Sequence, residues 1–157
     1  MILSKKLSTL YDNIKLYDRY SNLSNTYCDY ESSLQIQDKK NVLEIFEELG
    51  YSAKYKTNEK FYAFYQNIEN NSFYFHLGLR FGIVEIIFGL KKDVDSEHIG
   101  GAITGICKRI ELSNNIHKEE YIKGPAFSSY EELKEILNIL LLLFEDFKKE
   151  FLDLYST

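Results

Sequence analysis

The stretch FYFHLGLRFGIVEIIFGL, residues 73–90, decides the fold. Phe73, Phe75, Leu77 and Leu79 point one way, and Tyr74, His76, Gly78 and Arg80 the other. A period of two is the signature of a strand, because successive side chains leave it on opposite faces. Phe81-Gly82 interrupts the alternation, and Val84, Ile86, Phe88 and Leu90 then resume its apolar half. Two alternating runs joined by two residues predict an antiparallel hairpin. In that register Glu85 lies opposite Gly78, diagonal to both His76 and Arg80.

The same period extends upstream. Strands are predicted near 52–57 and over 60–68, with Asn70-Asn71 supplying the positive φ angles of a tight turn. Tyr62, Phe64, Gln66 and Ile68 then share a face with Phe73, Phe75, Leu77 and Leu79. That continuous apolar surface must be covered by helices.

Helical patterns flank the sheet on both sides. Leu3, Leu7, Leu10, Ile14 and Tyr17 recur at spacings of four and three, which predicts one helix over 2–20. Residues 21–37 are polar and read as loop. Asp38 caps a second helix with Val42, Ile45, Phe46 and Leu49 on one face. Ser96 can cap a third, whose buried stripe is Ile99, Ile103, Ile106 and Ile110. Gly101 and Gly105 would lie on one side of that helix and mark a close approach; alternatively Gly100-Gly101 is loop and the helix starts later. Ser128 and Ser129 each have a glutamate three residues on, the spacing of a capping box. Behind them Tyr130, Leu133, Leu137, Leu140, Phe144, Phe147, Phe151 and Leu154 form one stripe of a long helix. The expected fold class is α+β: an antiparallel sheet of about four strands covered on one face by helices, with N-terminal helices and a long C-terminal helix. At 157 residues, a single domain spanning 1–157 is expected.

The composition, 45% hydrophobic and 27% charged, is that of a soluble folded chain and excludes disorder. The net charge of −5 argues against a general nucleic-acid partner, since an acidic chain does not attract a phosphate backbone. The charge is uneven. Residues 51–92 hold six basic and three acidic side chains, whereas 93–157 hold seven basic and thirteen acidic. Cys28 and Cys107 form no CxxC pair, which suits a reduced compartment. The N-terminus has no apolar core of a signal peptide, and ILNILLLLF (136–144) is far short of the ~20 apolar residues of a membrane span. A cytoplasmic protein with no membrane contact is expected.

Tyr65, Tyr74, His76, Arg80 and Glu85 share the second face of the sheet, with open space beside them at Gly78 and Gly89. These are the candidate partner-binding residues, because Tyr and Arg are typical interface anchors. A plain solvated face with one weak ion pair is the alternative. A His, an Arg and a Glu in one concavity could also do acid–base work. Elsewhere no catalytic residue is assigned. GGAITG (100–105) matches neither phosphate-loop pattern. Cys107 falls beside an apolar stripe, where an inert buried thiol is usual. Asp93, Asp95, Glu97 and His98 lack the glycine of a calcium loop at its sixth position. No cofactor and no metal are expected. A second candidate interface is the acidic face of the C-terminal helix, Glu131, Glu132, Glu135, Glu145 and Asp146, which otherwise reads as a solvated helix surface.

At IVEIIFG (83–89), IGGAITG (99–105) and GPAFSSYEELKEIL (124–137) the chain resembles small bacterial immunity proteins, the antidotes to polymorphic or contact-dependent toxins. The resemblance covers roughly the C-terminal half. It implies a non-enzymatic protein that binds and neutralises one cognate toxin domain, and it assigns no functional residue by position. Many such toxins are nucleases with basic active sites, which an acidic surface would steer toward binding. Two other readings remain open: a type III-like secretion chaperone holding an effector segment, and a small ligand-binding or catalytic domain on the His76/Arg80/Glu85 face.

Overall fold

The period-two region folds as the sequence requires. The computed structural model describes residues 2–156. Its order is α1 (Lys5–Asn13), α2 (Leu16–Thr26), α3 (Lys39–Glu48), β1 (Lys54–Lys56), β2 (Phe61–Ile68), β3 (Asn71–Arg80), β4 (Ile83–Leu90), β5 (Gly100–Ala102), α4 (Ile103–Ser113) and α5 (Tyr130–Tyr155). The strands form one antiparallel sheet in the order β1-β2-β3-β4-β5, so the fold is α+β with five strands rather than about four.

Register follows the turns. Arg80 pairs with Ile83 across Phe81-Gly82, and Gly78 pairs with Glu85, as the alternation predicts. The first hairpin turns at Glu69-Asn70 (φ 50° and 68°), one residue before the expected pair, because Asn71 pairs with Ile68 and its amide donates to the Glu69 carbonyl at 3.1 Å. This moves the pairing by two residues, so each side chain keeps its face.

The apolar face is buried under α3 and α5. The Phe46 ring of α3 meets Phe64 edge-on at 6.1 Å and Phe75 at 6.3 Å. Phe144 of α5 sits 5.3 Å from both Phe75 and Phe88, and Phe147 lies 5.0 Å from Phe88. Tilted and edge-on pairs at these spacings add to the area term of burial. Gln66, an amide on this face, receives the buried Lys148 ammonium, which also donates to Glu145 at 2.9 Å. A buried amine is tolerated because it is paired in this way. The cap of α5 is reciprocal: Ser129 Oγ accepts from Glu132 N–H at 3.1 Å, and Glu132 accepts from Ser128 N–H at 2.8 Å.

Two helical expectations are corrected. The helix over 2–20 is two helices, since Lys15 takes a left-handed conformation (φ 53°) and α2 then runs to Thr26, through residues expected as loop. The bend lets Ile14 and Leu16 both reach the core, which one straight helix cannot do for residues two apart. The helix expected from Ser96 begins at Ile103, since residues 100–102 are taken by β5. Asp95 and Ser96 are instead a tight turn (φ 52° and 62°) between Val94 and Glu97. The close approach is at Gly100, not at Gly101 or Gly105. A Cβ on Gly100 would lie 2.3 Å from the Phe88 carbonyl oxygen, whereas one on Gly101 or Gly105 would meet nothing within 4 Å.

Candidate functional site

Helices cover one face of the sheet, and burial alternates from Phe73 to Gly78 in β3 and from Ile83 to Phe88 in β4, after which Gly89 and Leu90 are both buried. On the second face Tyr65 is 43% exposed and Ile87 39%, so among the described residues no helix covers the centre of that surface.

Three of the five candidate residues meet there. Tyr65 pairs directly with Tyr74, and His76 is the diagonal neighbour of Tyr65. The Tyr65 hydroxyl lies 3.3 Å from His76 Nε2, and the Tyr74 and His76 rings are 5.0 Å apart. Phe61 lies against the imidazole at 4.2 Å. Burial, with Lys56 and Lys91 nearby, holds His76 below the ordinary imidazole range, so it is neutral at pH 7.

A second histidine joins through a loop. Tyr74 reaches across Gly89, where a Cβ would come within 3.1 Å of its hydroxyl, and meets His98 Nε2 at 3.0 Å. His98 Nδ1 lies 3.1 Å from Asp93 Oδ1. The carboxylate accepts from Nδ1–H, which leaves Nε2 to accept from the Tyr74 hydroxyl. Burial raises the Tyr74 pKa, so this chain holds a neutral phenol in place and does not generate a phenolate.

Arg80 and Glu85 are not brought into the cluster. Arg80 stands at the turn end of β3, four residues beyond His76, or about 13 Å along the strand. Glu85 lies under Gly78, with its Oε2 3.5 Å from the position of a Cβ there. Among the described residues it makes no ion pair with Arg80 or His76, so the weak pair expected on this face does not form. In the place of Arg80 and Glu85 the cluster holds Lys56 and Lys91, whose ammonium groups lie 5.8 and 4.5 Å from the Tyr65 ring centroid. Strand parity could have found both: Lys56 pairs with Phe61, and the Lys91 N–H donates to Ser72 at 2.9 Å, so β4 parity continues past Leu90. His98 and Asp93 carried no such signal.

The other candidates are drawn into the fold. Glu97 accepts from the Ser4 backbone N–H at 3.1 Å at the start of α1. Cys107 is buried, and burial, with Glu111 nearby, pushes its pKa up to about 12, so it is no nucleophile. On α5, Glu132 caps, Glu135 accepts from Tyr27 at 3.1 Å, Glu145 from Tyr51 at 2.5 Å, and Asp146 pairs with Arg19 at 2.7 Å. That acidic face is largely spent on internal contacts. Among the described residues no three His, Cys, Asp or Glu side chains are placed to share a metal ion, and no helix is long and apolar enough to cross a membrane. Comparison with protein-family models, with curated proteins and with solved structures finds no match to this chain.

Proposed function

We propose that this protein acts by binding, not by turnover, as an immunity-type antidote that docks a cognate bacterial toxin domain on the open face of its sheet. The observation that carries the reading is the Tyr65–His76–Tyr74–His98–Asp93 cluster on an uncovered surface. Aromatic side chains fixed by hydrogen bonds before binding lose little freedom on docking, which is the property of an interface anchor. Catalysis is disfavoured by the same contacts: His98 is occupied on both nitrogens and Tyr74 is held neutral.

The alternative, a secretion chaperone, draws on a different surface. Ile139 (37% exposed) and Leu142 (54% exposed) stand on the outer side of α5 and could receive an unfolded apolar segment.

The test is capture of the tagged chain from bacterial cells that make it, followed by identification of any one-to-one partner. The antidote reading expects a folded toxin domain whose toxicity the chain abolishes, and loss of both capture and protection on replacing Tyr65, Tyr74 and His76 together with Ala. A partner bound through an unfolded segment, and unaffected by those replacements, supports the chaperone. Capture of a toxin that the triple variant holds with unchanged affinity contradicts the assignment to this face.

A further inference from the structure

The open face differs in charge from the rest of the molecule. Its side chains include Lys54, Lys56, Arg80 and Lys91 against the single carboxylate of Glu85, because Lys54 and Lys56 pair with Ala63 and Phe61, on the same face as His76. Asp93 at its margin is committed to His98. The whole chain nonetheless carries −5. Among the described residues none of the four cations has a carboxylate within 4.0 Å, whereas Lys108, Lys134, Lys148 and Arg19 each have one. The sheet face left uncovered by the helices therefore carries a local excess of unpaired positive charge in a chain that is acidic as a whole.

Lys56 and Lys91 both lean over the Tyr65 ring, beside the neutral imidazole of His76. An anion seated there would face both ammonium groups together with the Tyr65 hydroxyl and the ring nitrogen. We infer that Lys56, Lys91, Tyr65 and His76 form a carboxylate-binding subsite, and that the docked partner fills it with an Asp or Glu side chain from an acidic segment. The inference rests on the docking role proposed for this face and adds the partner's chemistry.

A polynucleotide is the other polyanion to weigh. Single-stranded nucleic acid needs aromatic ring faces free for base stacking. Here Phe61 packs on His76 at 4.2 Å, Tyr74 stacks with His98 at 6.3 Å, and Lys91 sits 4.5 Å over Tyr65. Each of these rings already has one of the protein's own groups against it, whereas Lys56 and Lys91 have no carboxylate partner among the described residues. That combination favours carboxylates over bases.

Protonation couples to the site. The groups facing His76 are Lys56 from β1, Tyr65 from β2, Tyr74 on its own strand and Lys91 after β4. In the free protein the two ammonium groups oppose a third positive charge. A bound carboxylate offsets them and favours the imidazolium, so binding takes up a proton and tightens as pH falls.

The probe is a fluorescein-labelled deca-glutamate peptide, followed by anisotropy at low salt with the full-length protein. Wild type is expected to bind it, to ignore deca-glutamine, and to bind more tightly at about pH 5.5 than at about pH 7.5, with that gain lost in His76→Gln. K56E/K91E should weaken binding by about tenfold or more, and K56M/K91M, which removes charge without reversing it, should weaken it in the same direction. K5E/K40E has the same net charge as K56E/K91E but lies on exposed helix surfaces, and should leave affinity within about threefold of wild type. Circular dichroism shows whether each variant is folded. Absence of binding by wild type, an equal loss in K5E/K40E, or tighter binding of an oligothymidylate of equal length each overturns the inference. A natural partner that needs Tyr65, Tyr74 and His76 but tolerates K56M/K91M would overturn the carboxylate subsite alone and leave the docking role standing.

Discussion

Gly89→Ala tests the link between the fold and the cluster. Gly89 pairs with Gly100 at the β4–β5 edge and lies beneath Tyr74. A Cβ added there stands 2.4 Å from the Ile99 carbonyl oxygen and 2.9 Å from Gly100 Cα, where ordinary contact begins at 3.4 Å. The shortfall of 1.0 Å is against backbone, so β4 and β5 must separate. The Leu90 N–H to Ile99 carbonyl bond, 2.9 Å long, is the first to stretch. Overpacking of this kind costs about 1–3 kcal/mol, and one weakened hydrogen bond about 0.5–1.5 kcal/mol. Against them Ala gains roughly 0.5–1 kcal/mol over Gly by restricting the unfolded chain. The expected net loss is about 1–3 kcal/mol, read from urea unfolding followed by circular dichroism, or as a fall in Tm of about 2–4 °C per kcal/mol. Gly105→Ala is the internal control. It lies in α4 with nothing within 4 Å of the added Cβ, so it should stabilise by up to about 1 kcal/mol. If Gly89→Ala proves as stable as wild type, the β4–β5 contact is looser than described and the support for Tyr74 fails with it.

Three further outcomes follow from the same contacts. Phe144→Ala removes the ring that meets Phe64, Phe75 and Phe88 and should cost about 3–5 kcal/mol in urea unfolding; a loss under 1 kcal/mol would mean that α5 does not pack as described. Of the two thiols, exposed Cys28 should react with a chromogenic disulfide in the native protein and buried Cys107 only after denaturation; two fast thiols would contradict the burial of α4. His76 titrates below its unfolded value because burial and Lys56 and Lys91 disfavour its charge, so at acid pH the unfolded chain binds the extra proton and the folded state does not. Its contribution is present in full above pH ~6.5 and is lost as pH falls below that value. His76→Gln should therefore flatten the stability profile between about pH 7 and 5, as measured by Tm against pH.

The alternation in residues 73–90 was sufficient to place Phe73, Phe75, Leu77, Val84, Ile86 and Phe88 in the core and Tyr74 and His76 opposite them. The reason is steric: a strand has only two faces, and one apolar set settles both. The break at Lys15 was hidden because Leu3, Leu7, Leu10, Ile14 and Tyr17 keep helical spacing straight through it; the left-handed residue is imposed by packing. Strand β5 was hidden because Gly100-Gly101-Ala102 is too short to alternate, and its nearest signal, Gly89, lies on another strand, where the open space expected beside it is instead filled by the Ile99 carbonyl, Gly100 and the Tyr74 hydroxyl. At the site, parity grouped Tyr65, Tyr74 and His76 correctly. It could not rank Arg80 and Glu85 below Lys56 and Lys91, since proximity along a face depends on how far each side chain leans. His98 and Asp93 enter from a loop, where no period operates.

The claim that the open sheet face is the docking surface is tested most directly by side-chain oxidative footprinting of the protein alone and in complex with the partner captured from cells. Backbone exchange would not separate the two faces of one strand, whereas side-chain labelling does. Docking on the open face predicts reduced labelling of Tyr65, His76 and Ile87 in the complex, with Ile139 and Leu142 on α5 unchanged. Protection of Ile139 and Leu142 with Tyr65 and His76 still fully labelled would contradict it.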